Sequence, residues 1–479
     1  MLRTLAGRMS ALRELYLENK NSVTFSAAAV PPVEAGAFGS FASGVALTIL
    51  TRLLMLLGTV GASVVVARWL GPEGLGSLAV LNTTIVLALV IGSLGLTSAN
   101  TYFIAKDRRT LAPVWANAIV FALSGGSVVA IAVLALAKFT PSLFGGVSTD
   151  LILIAALSIP FQFLLSLGLN VFLAMDRIRQ LNFMDAMAPA LALLNAIVVL
   201  LILRSNLQTL VSFNTAATVV LAFGMLWAIS RLVARQKDRL PFRPNGELFK
   251  GAVAYGLKFF IPLVAAILIF RVDLLIVNHF RGAAEAGVYA VASQVANLLT
   301  MLPGVIAMLL FPRVASYQDP RGEFAIRVTR YVSFVMLVMC FVVAAGSFLL
   351  PVIYGVRFAD ATIQLLILLP GVCLIGIESV LVQHFTGTGL PAAIPVFWLI
   401  TLAVSVGLNL AVVPVFGARG AAVTSTISYA LIFLLVAVYF CLKTGRRPDE
   451  IFFLRGREFR GLLAQVRLAS ATKVASKSV

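Results

Sequence analysis

Histidine, cysteine and charge are all scarce in this chain. The two histidines, His279 and His384, are too few and too far apart to form a catalytic or metal cluster. Cys340, Cys373 and Cys441 sit singly within apolar runs, which excludes a disulfide framework and any metal-ligand spacing. No metal or cofactor is expected. Only 12% of the 479 residues are charged and 60% are hydrophobic, with a mean hydropathy of +1.02. That balance excludes a soluble domain and predicts an all-α bundle of membrane-spanning helices. Acidic residues are few, 19 against 37 basic ones, for a formal charge of +18. The basic residues occupy short loops and tails rather than a soluble domain with interleaved aromatics. Nucleic acid is therefore excluded, and the partner expected for them is anionic membrane lipid.

Twelve apolar runs are present, each near the ~20 residues that cross a bilayer. In the first half they lie at 41–66, 76–96, 113–137, 151–172, 183–203 and 207–229. The second half adds 255–278, 287–311, 331–350, 361–382, 395–415 and 421–442. The predicted organisation is an N-terminal segment (1–40), a first lobe (41–229), a basic linker (230–254), a second lobe (255–442) and a basic tail (443–479). Leu5, Met9, Leu12 and Tyr16 fall at helical spacing beside Arg3, Arg8 and Arg13, as in an in-plane amphipathic helix. A similar segment is expected around Phe452, Phe459, Leu463 and Val466.

Alternate loops carry one cation each: Arg68, Lys138, Arg204, Arg281, Arg357 and Arg419. Nearly all the other lysines and arginines lie in the tails and in the loops of opposite parity. By the positive-inside rule both termini are cytoplasmic. The chain also repeats itself. Arg68-Trp69-Leu70-Gly71 with Gly76 onward aligns with His279-Phe280-Arg281-Gly282 with Gly287 onward, an offset of 211 residues. Leu194-Asn195-Ala196 aligns with Leu408-Asn409-Leu410 at an offset of 214. Near-equal offsets point to duplication. Six spans per repeat give both halves the same orientation, related by a pseudo-twofold axis along the membrane normal, with a cavity between them.

Five segments, in order, carry a family likeness: 67–80 (ARWLGPEGLGSLAV), 270–299, 302–316, 353–361 and 416–425. Together they resemble the polysaccharide-exporter branch of the multidrug/oligosaccharidyl-lipid/polysaccharide (MOP) superfamily, and the likeness extends over roughly residues 41–442. The resemblance implies two six-helix bundles around a central cavity and a Wzx-type flippase of the bacterial cytoplasmic membrane. Such a protein moves an undecaprenyl-pyrophosphate-linked oligosaccharide between leaflets by alternating access, without covalent catalysis, for surface or exopolysaccharide, capsule or O-antigen-like assembly. Polysaccharide polymerase and glycosyltransferases are the protein partners it implies. Peptidoglycan-precursor flippases of the superfamily carry two further spans, for which this chain has no room. Drug-extruding relatives share the twelve-span layout, so a cation-coupled exporter is the alternative. A polytopic glycosyltransferase or polymerase is the remote one, because the outer loops are short and their acids (Glu73, Asp150, Glu285, Asp360) are single.

A flippase passes a polar, anionic headgroup, and so needs a wet cavity with cationic character and neutral hydrogen-bonding groups. Arg52 lies about 17 Å into the first run at 1.5 Å per residue. It shares a helical stripe with Thr48, Met55, Thr59 and Ser63, and either faces the cavity or forms an intramembrane ion pair. Arg271 and Asn278 share one face of the seventh run. Asp273 points elsewhere, as a proton or sodium site or as the partner of Arg52. Glu378 is a second coupling-ion candidate, or else snorkels to the nearby interface. Three neutral stripes are cavity candidates or interhelical glue. They are Asn82 with Ser93, Thr97 and Asn100; Gln162 with Ser166 and Asn170; and Gln294 with Asn297. Arg177, Arg179, Arg327 and Arg330 sit at cytoplasmic span ends, where they set topology or capture a pyrophosphate headgroup.

Overall fold

The computed structural model describes residues 35–236, 240–304, 306, 322–388 and 391–447. Residues 51 onward form one compact unit, and 35–50 belong to a separate one. The two amphipathic segments expected near the termini lie outside the described residues, as does the end of the eighth run.

Every regular element among the described residues is helical. We number the main helices α1 (Ala35–Gly92), α2 (Leu96–Lys106), α3 (Leu111–Phe139), α4 (Thr149–Leu157), α5 (Ile159–Ala174), α6 (Ile178–Ala196) and α7 (Leu207–Arg235). The second repeat contains α8 (Gly246–Arg281), α9 (Ala283–Leu298), α10 (Glu323–Gly346), α11 (Leu350–Tyr354), α12 (Asp360–Thr388) and α13 (Ala393–Thr444). Nine stretches among the described residues are long and apolar enough to cross a membrane. Two of them are double. Leu50–Gly92, 43 residues, would run about 65 Å if straight, twice a bilayer core of ~30 Å. It turns at Gly71 (φ 70°, ψ −170°), and α13 turns likewise at Gly417 (φ 58°, ψ −143°). α9 begins the eighth span, so among the described residues every apolar run of the sequence falls on helix.

The duplication is visible in the backbone. Gly71 and its counterpart Gly282 (φ 84°, ψ 174°) occupy the same region of conformational space, one reached almost only by glycine. Each turn starts a helix that crosses its counterpart at a second glycine. A Cβ on Gly76 would lie 1.7 Å from the Ala283 carbonyl oxygen, and one on Gly287 would lie 2.0 Å from that of Pro72. The helices meet backbone to backbone across the pseudo-twofold, as small residues allow in a membrane bundle. Asn195 donates to Asn214 at 2.9 Å, and its counterpart Asn409 accepts from Thr424 at 2.8 Å. Each therefore ties the fifth span of its own repeat to the sixth.

At the opposite, basic end the repeats meet through different chemistry. The second span breaks at Leu94 and Gly95, both at positive φ, and Gly95 packs on Gly256 of α8. A Cβ on Gly95 would lie 2.4 Å from the Gly256 carbonyl oxygen. Beyond this contact Tyr102 stacks on Tyr255, centroids 4.4 Å apart and planes at 12°. The connection between α7 and α8 is pinned to the first repeat. The Asn117 side chain and the Asn245 backbone exchange two 2.9 Å hydrogen bonds, and Gln236 donates to the Arg108 carbonyl at 2.7 Å. Helix continues to Arg235 and resumes at Gly246. In the loop between α2 and α3 the Arg109 side chain and amide both bond Asp107 and hold its carboxyl below the usual carboxylate range.

The glycine crossing makes a direct prediction. Gly76→Ala forces two backbones apart and should destabilise by about 1–3 kcal/mol or more. Gly224→Ala has nothing within 4 Å of the new methyl and should be neutral or slightly stabilising. Thermal unfolding of the detergent-solubilised protein separates the two. An unchanged midpoint for Gly76→Ala would refute the close contact.

Candidate functional site: a cavity between the repeats

A cavity of about 770 Å³ lies between the repeats. From the first repeat Thr59, Ser63, Asn82, Gln162 and Ser166 line it; from the second, Arg271, Asp273, Gln294 and Asn297 do so. These polar groups sit among many aliphatic side chains, so the walls are largely apolar with fixed hydrogen-bonding points. Arg271 makes no ion pair among the described residues and is exposed to this space. It is the one basic residue lining the cavity among those described. The Gln294 side-chain nitrogen has no hydrogen-bond partner among the described residues.

Asp273, 3% exposed, is a node between three spans. Its Oδ2 accepts from the Tyr289 hydroxyl of α9 at 2.5 Å and from the Ser425 hydroxyl of α13 at 2.9 Å. Its Oδ1 accepts from the Leu274 amide at 2.7 Å. All three donors are neutral. The expected pairing with Arg52 does not occur: Arg52 instead meets Asp185 of α6 at 3.1 Å and does not line the cavity. The other reading of Arg52, an ion pair, is the one observed. The Arg52 side chain keeps 45% of its exposure and Asp185 25%, so the pair is half-open.

The neutral stripes divide. Asn82, Gln162, Ser166, Gln294 and Asn297 reach the cavity. The first stripe is interrupted by the Leu94–Gly95 break, and Asn100 beyond it is buried in packing, 5% exposed. Asn170 is used as glue. It donates to the Ser166 carbonyl at 2.9 Å, accepts from Thr101 at 3.2 Å and does not line the cavity. Asn278 also misses the cavity. It is 1% exposed and donates to the Leu143 carbonyl at 3.1 Å, which fastens α8 to the turn after α3.

Glu378 does not snorkel. It is 2% exposed, its Oε1 has no partner among the described residues, and it lies outside the cavity. Arg177, Arg179 and Arg327 are exposed, but Arg330 is buried at 5% and so does not join them as a surface docking group. Sequence reasoning overlooked Asp185, although it is the acid of the fifth run. It also overlooked Asn214 and Thr218, four residues apart on α7 and both lining the cavity, which the helical period would have revealed.

Apolar helices in two similar halves, enclosing a cavity with polar groups set in largely apolar walls, define a multi-pass membrane protein with a two-lobed helical fold. A family described as polysaccharide biosynthesis protein matches residues 65–363. That match covers more than half the chain, and the protein belongs to this family. Among solved structures, it is similar to the lipid II flippase MurJ in an inward closed conformation, with a TM-score of 0.67 at 14% identity over 83% of this chain and 87% of that one. A multidrug resistance MATE family transporter of the MOP superfamily, inward-facing, gives 0.64 at 15% identity over 83% and 98%. An outward-facing MATE structure gives 0.55 at 12% identity over 84% and 96%. No curated protein matches. The shared fold is that of the MOP superfamily.

The Arg52–Asp185 pair is testable by charge reversal. Arg52→Asp or Asp185→Arg alone sets like charges together and should lower the thermal midpoint, and the double swap should recover most of the loss. Failure of the swap to recover stability would show that the two do not interact.

Proposed function

We propose that the protein is a flippase that carries a lipid-linked oligosaccharide, its glycan joined to undecaprenyl pyrophosphate, across the bacterial cytoplasmic membrane. Both termini are then cytoplasmic, the basic end faces inward, and the glycine-turn end faces outward. The observation that carries this reading is a cavity between duplicated lobes, its largely apolar walls set with polar groups, in which the one basic lining residue among those described, Arg271, has no ion-pair partner there. A guanidinium in a low-dielectric cavity suits a pyrophosphate, to which it bonds through two parallel N–H groups. The amides of Asn82, Gln162, Gln294 and Asn297 supply hydroxyl partners for sugar. The lipid tail needs no site of its own, because it stays in the bilayer.

Each end has a close backbone contact between the two repeats, Gly76 with Ala283 and Gly95 with Gly256. Opening them in turn gives alternating access. Asp273 is the coupling-ion candidate that fits best. It borders the cavity and is bonded to spans eight and twelve, so protonation or a cation there changes how those helices are held together.

The test is clearance of precursor. Deleting the gene should cause a lipid-linked glycan to accumulate, and the wild-type gene should clear it. Arg271→Ala should leave accumulation within twofold of the deletion, at unchanged protein level in the membrane, while Arg271→Lys should restore part of the clearance. Full clearance by Arg271→Ala would refute the role of this residue. A deletion that leaves every lipid-linked glycan unchanged but raises sensitivity to cationic drugs would replace the flippase reading with the exporter one.

A further inference from the structure

A second recess lies within the second repeat at the glycine-turn end. Its volume is about 610 Å³, and it is separate from the central cavity. Each of the three connections of this repeat at that end contributes one arginine to its lining: Arg281, Arg357 and Arg419. Exposed arginines usually just hold loops together, and two of these do. Arg281 pairs with Glu285 at 3.0 Å, and Arg419 pairs with Asp360 at 2.9 Å. Glu285 also accepts the Ala418 amide at 2.7 Å, immediately after the Gly417 turn. These bonds fix the walls and neutralise two of the three cations.

Arg357 is different. It has no ion pair or hydrogen bond among the described residues, although it lines the recess. Its guanidinium lies beside Gly71, and the backbone leading to it is held. A Cβ on Gly71 would lie 3.5 Å from its Nη1. The short α11 segment before it is clamped by Arg68, whose Nε donates to the Ile353 carbonyl at 2.8 Å and whose other guanidinium nitrogen donates to that of Val352. The same recess holds a second unmet need. Gln364 lines the recess and is 2% exposed, and its Oε1 has no hydrogen-bond partner among the described residues. A buried amide oxygen left without a donor is destabilising, and a hydroxyl donor brought to it would relieve that cost.

The two needs specify one ligand chemistry. A guanidinium with free N–H groups binds a planar oxyanion through two parallel bonds, and an orphaned amide oxygen binds a hydroxyl. A neutral sugar lacks the first group and a simple carboxylate lacks the second. Phosphate has both but fills little of a space in the range of ligand pockets, about 300–1,000 Å³. We propose that this recess binds an acidic sugar residue, with the carboxylate on Arg357 and a ring hydroxyl on Gln364. The site lies at the end assigned above to the outer face, where a transported glycan leaves. Its link to transport rests on the flippase reading; the binding itself does not.

Isothermal titration of the full-length protein in detergent, with galacturonic acid trisaccharide as the probe, tests this. Neutral galactotriose and inorganic phosphate are the comparison probes. The expected result is saturable binding of the uronate at least tenfold tighter than either comparison. Arg357→Gln should weaken it at least tenfold, and Gln364→Leu should weaken it several-fold. Arg357 is exposed, so its variant should keep the wild-type thermal midpoint. Uronate binding that is absent, equalled by galactotriose or by phosphate, or unchanged in Arg357→Gln overturns the assignment. The titration involves no transport, so its failure leaves the precursor-clearance result standing, and the converse holds as well.

Discussion

The contact on which this architecture depends is the crossing of two helix starts at Gly76 and Gly287. Neither position has room for a methyl group, because the space is filled by the other helix's backbone. The close approach brings the repeats together at one end and leaves the space between them to widen into the central cavity. Large side chains at the crossing would hold the lobes apart, and the polar groups of the walls would no longer face one another across a confined space. The Gly71 and Gly282 turns place these crossings, since a backbone at such φ and ψ reverses one span into the next without a loop. Duplication therefore produced a paired seam as well as two similar lobes.

The polar groups of the interior do two kinds of work, and burial separates them. Arg271, Gln294 and Asn82 present hydrogen-bonding capacity to the cavity. Asn278, Asn170 and the Asn195–Asn214 pair spend theirs on neighbouring helices. Asp273 does both. It borders the cavity, and it joins α8, α9 and the second arm of α13 through hydroxyl donors. A site that holds three helices together and touches the transport space is where a change of charge is most easily turned into a change of shape, because both states of the element are biased by one group. Arg52 and Asp185 form a separate fastening, between the first and fifth spans of the first repeat.

Much of the fold is legible in the sequence. Span positions follow from hydropathy. The repeat follows from the glycines and asparagines at near-equal offsets, because these residues do backbone work that few others can replace. Partners were not legible. Helical period places Arg271 and Asn278 on one face, yet the cavity takes only Arg271, because α8 passes from the cavity to the turn after α3 within those two turns of helix. Placing Asn82 and Asn100 on one stripe assumed a continuous second span, and the positive φ at Leu94 and Gly95 breaks it. The pairing of Arg52 with Asp185 depends on how two helices far apart in sequence are rotated, which composition does not encode. Glu378 lies close enough to a span end to suggest snorkelling, but neighbouring helices enclose it.

The central claim is that the lobes part at the glycine seam to expose the cavity. The most direct measurement is the distance across that seam, between spin labels at Glu73→Cys and Ala284→Cys, both exposed positions. The background would have Cys340, Cys373 and Cys441 replaced by serine, with the protein in lipid nanodiscs. Two distance populations are expected, one short as in this structure and one longer by several ångströms or more, with their ratio shifted by a lipid-linked glycan. A single short distance under all conditions, in protein that still clears precursor, would contradict it.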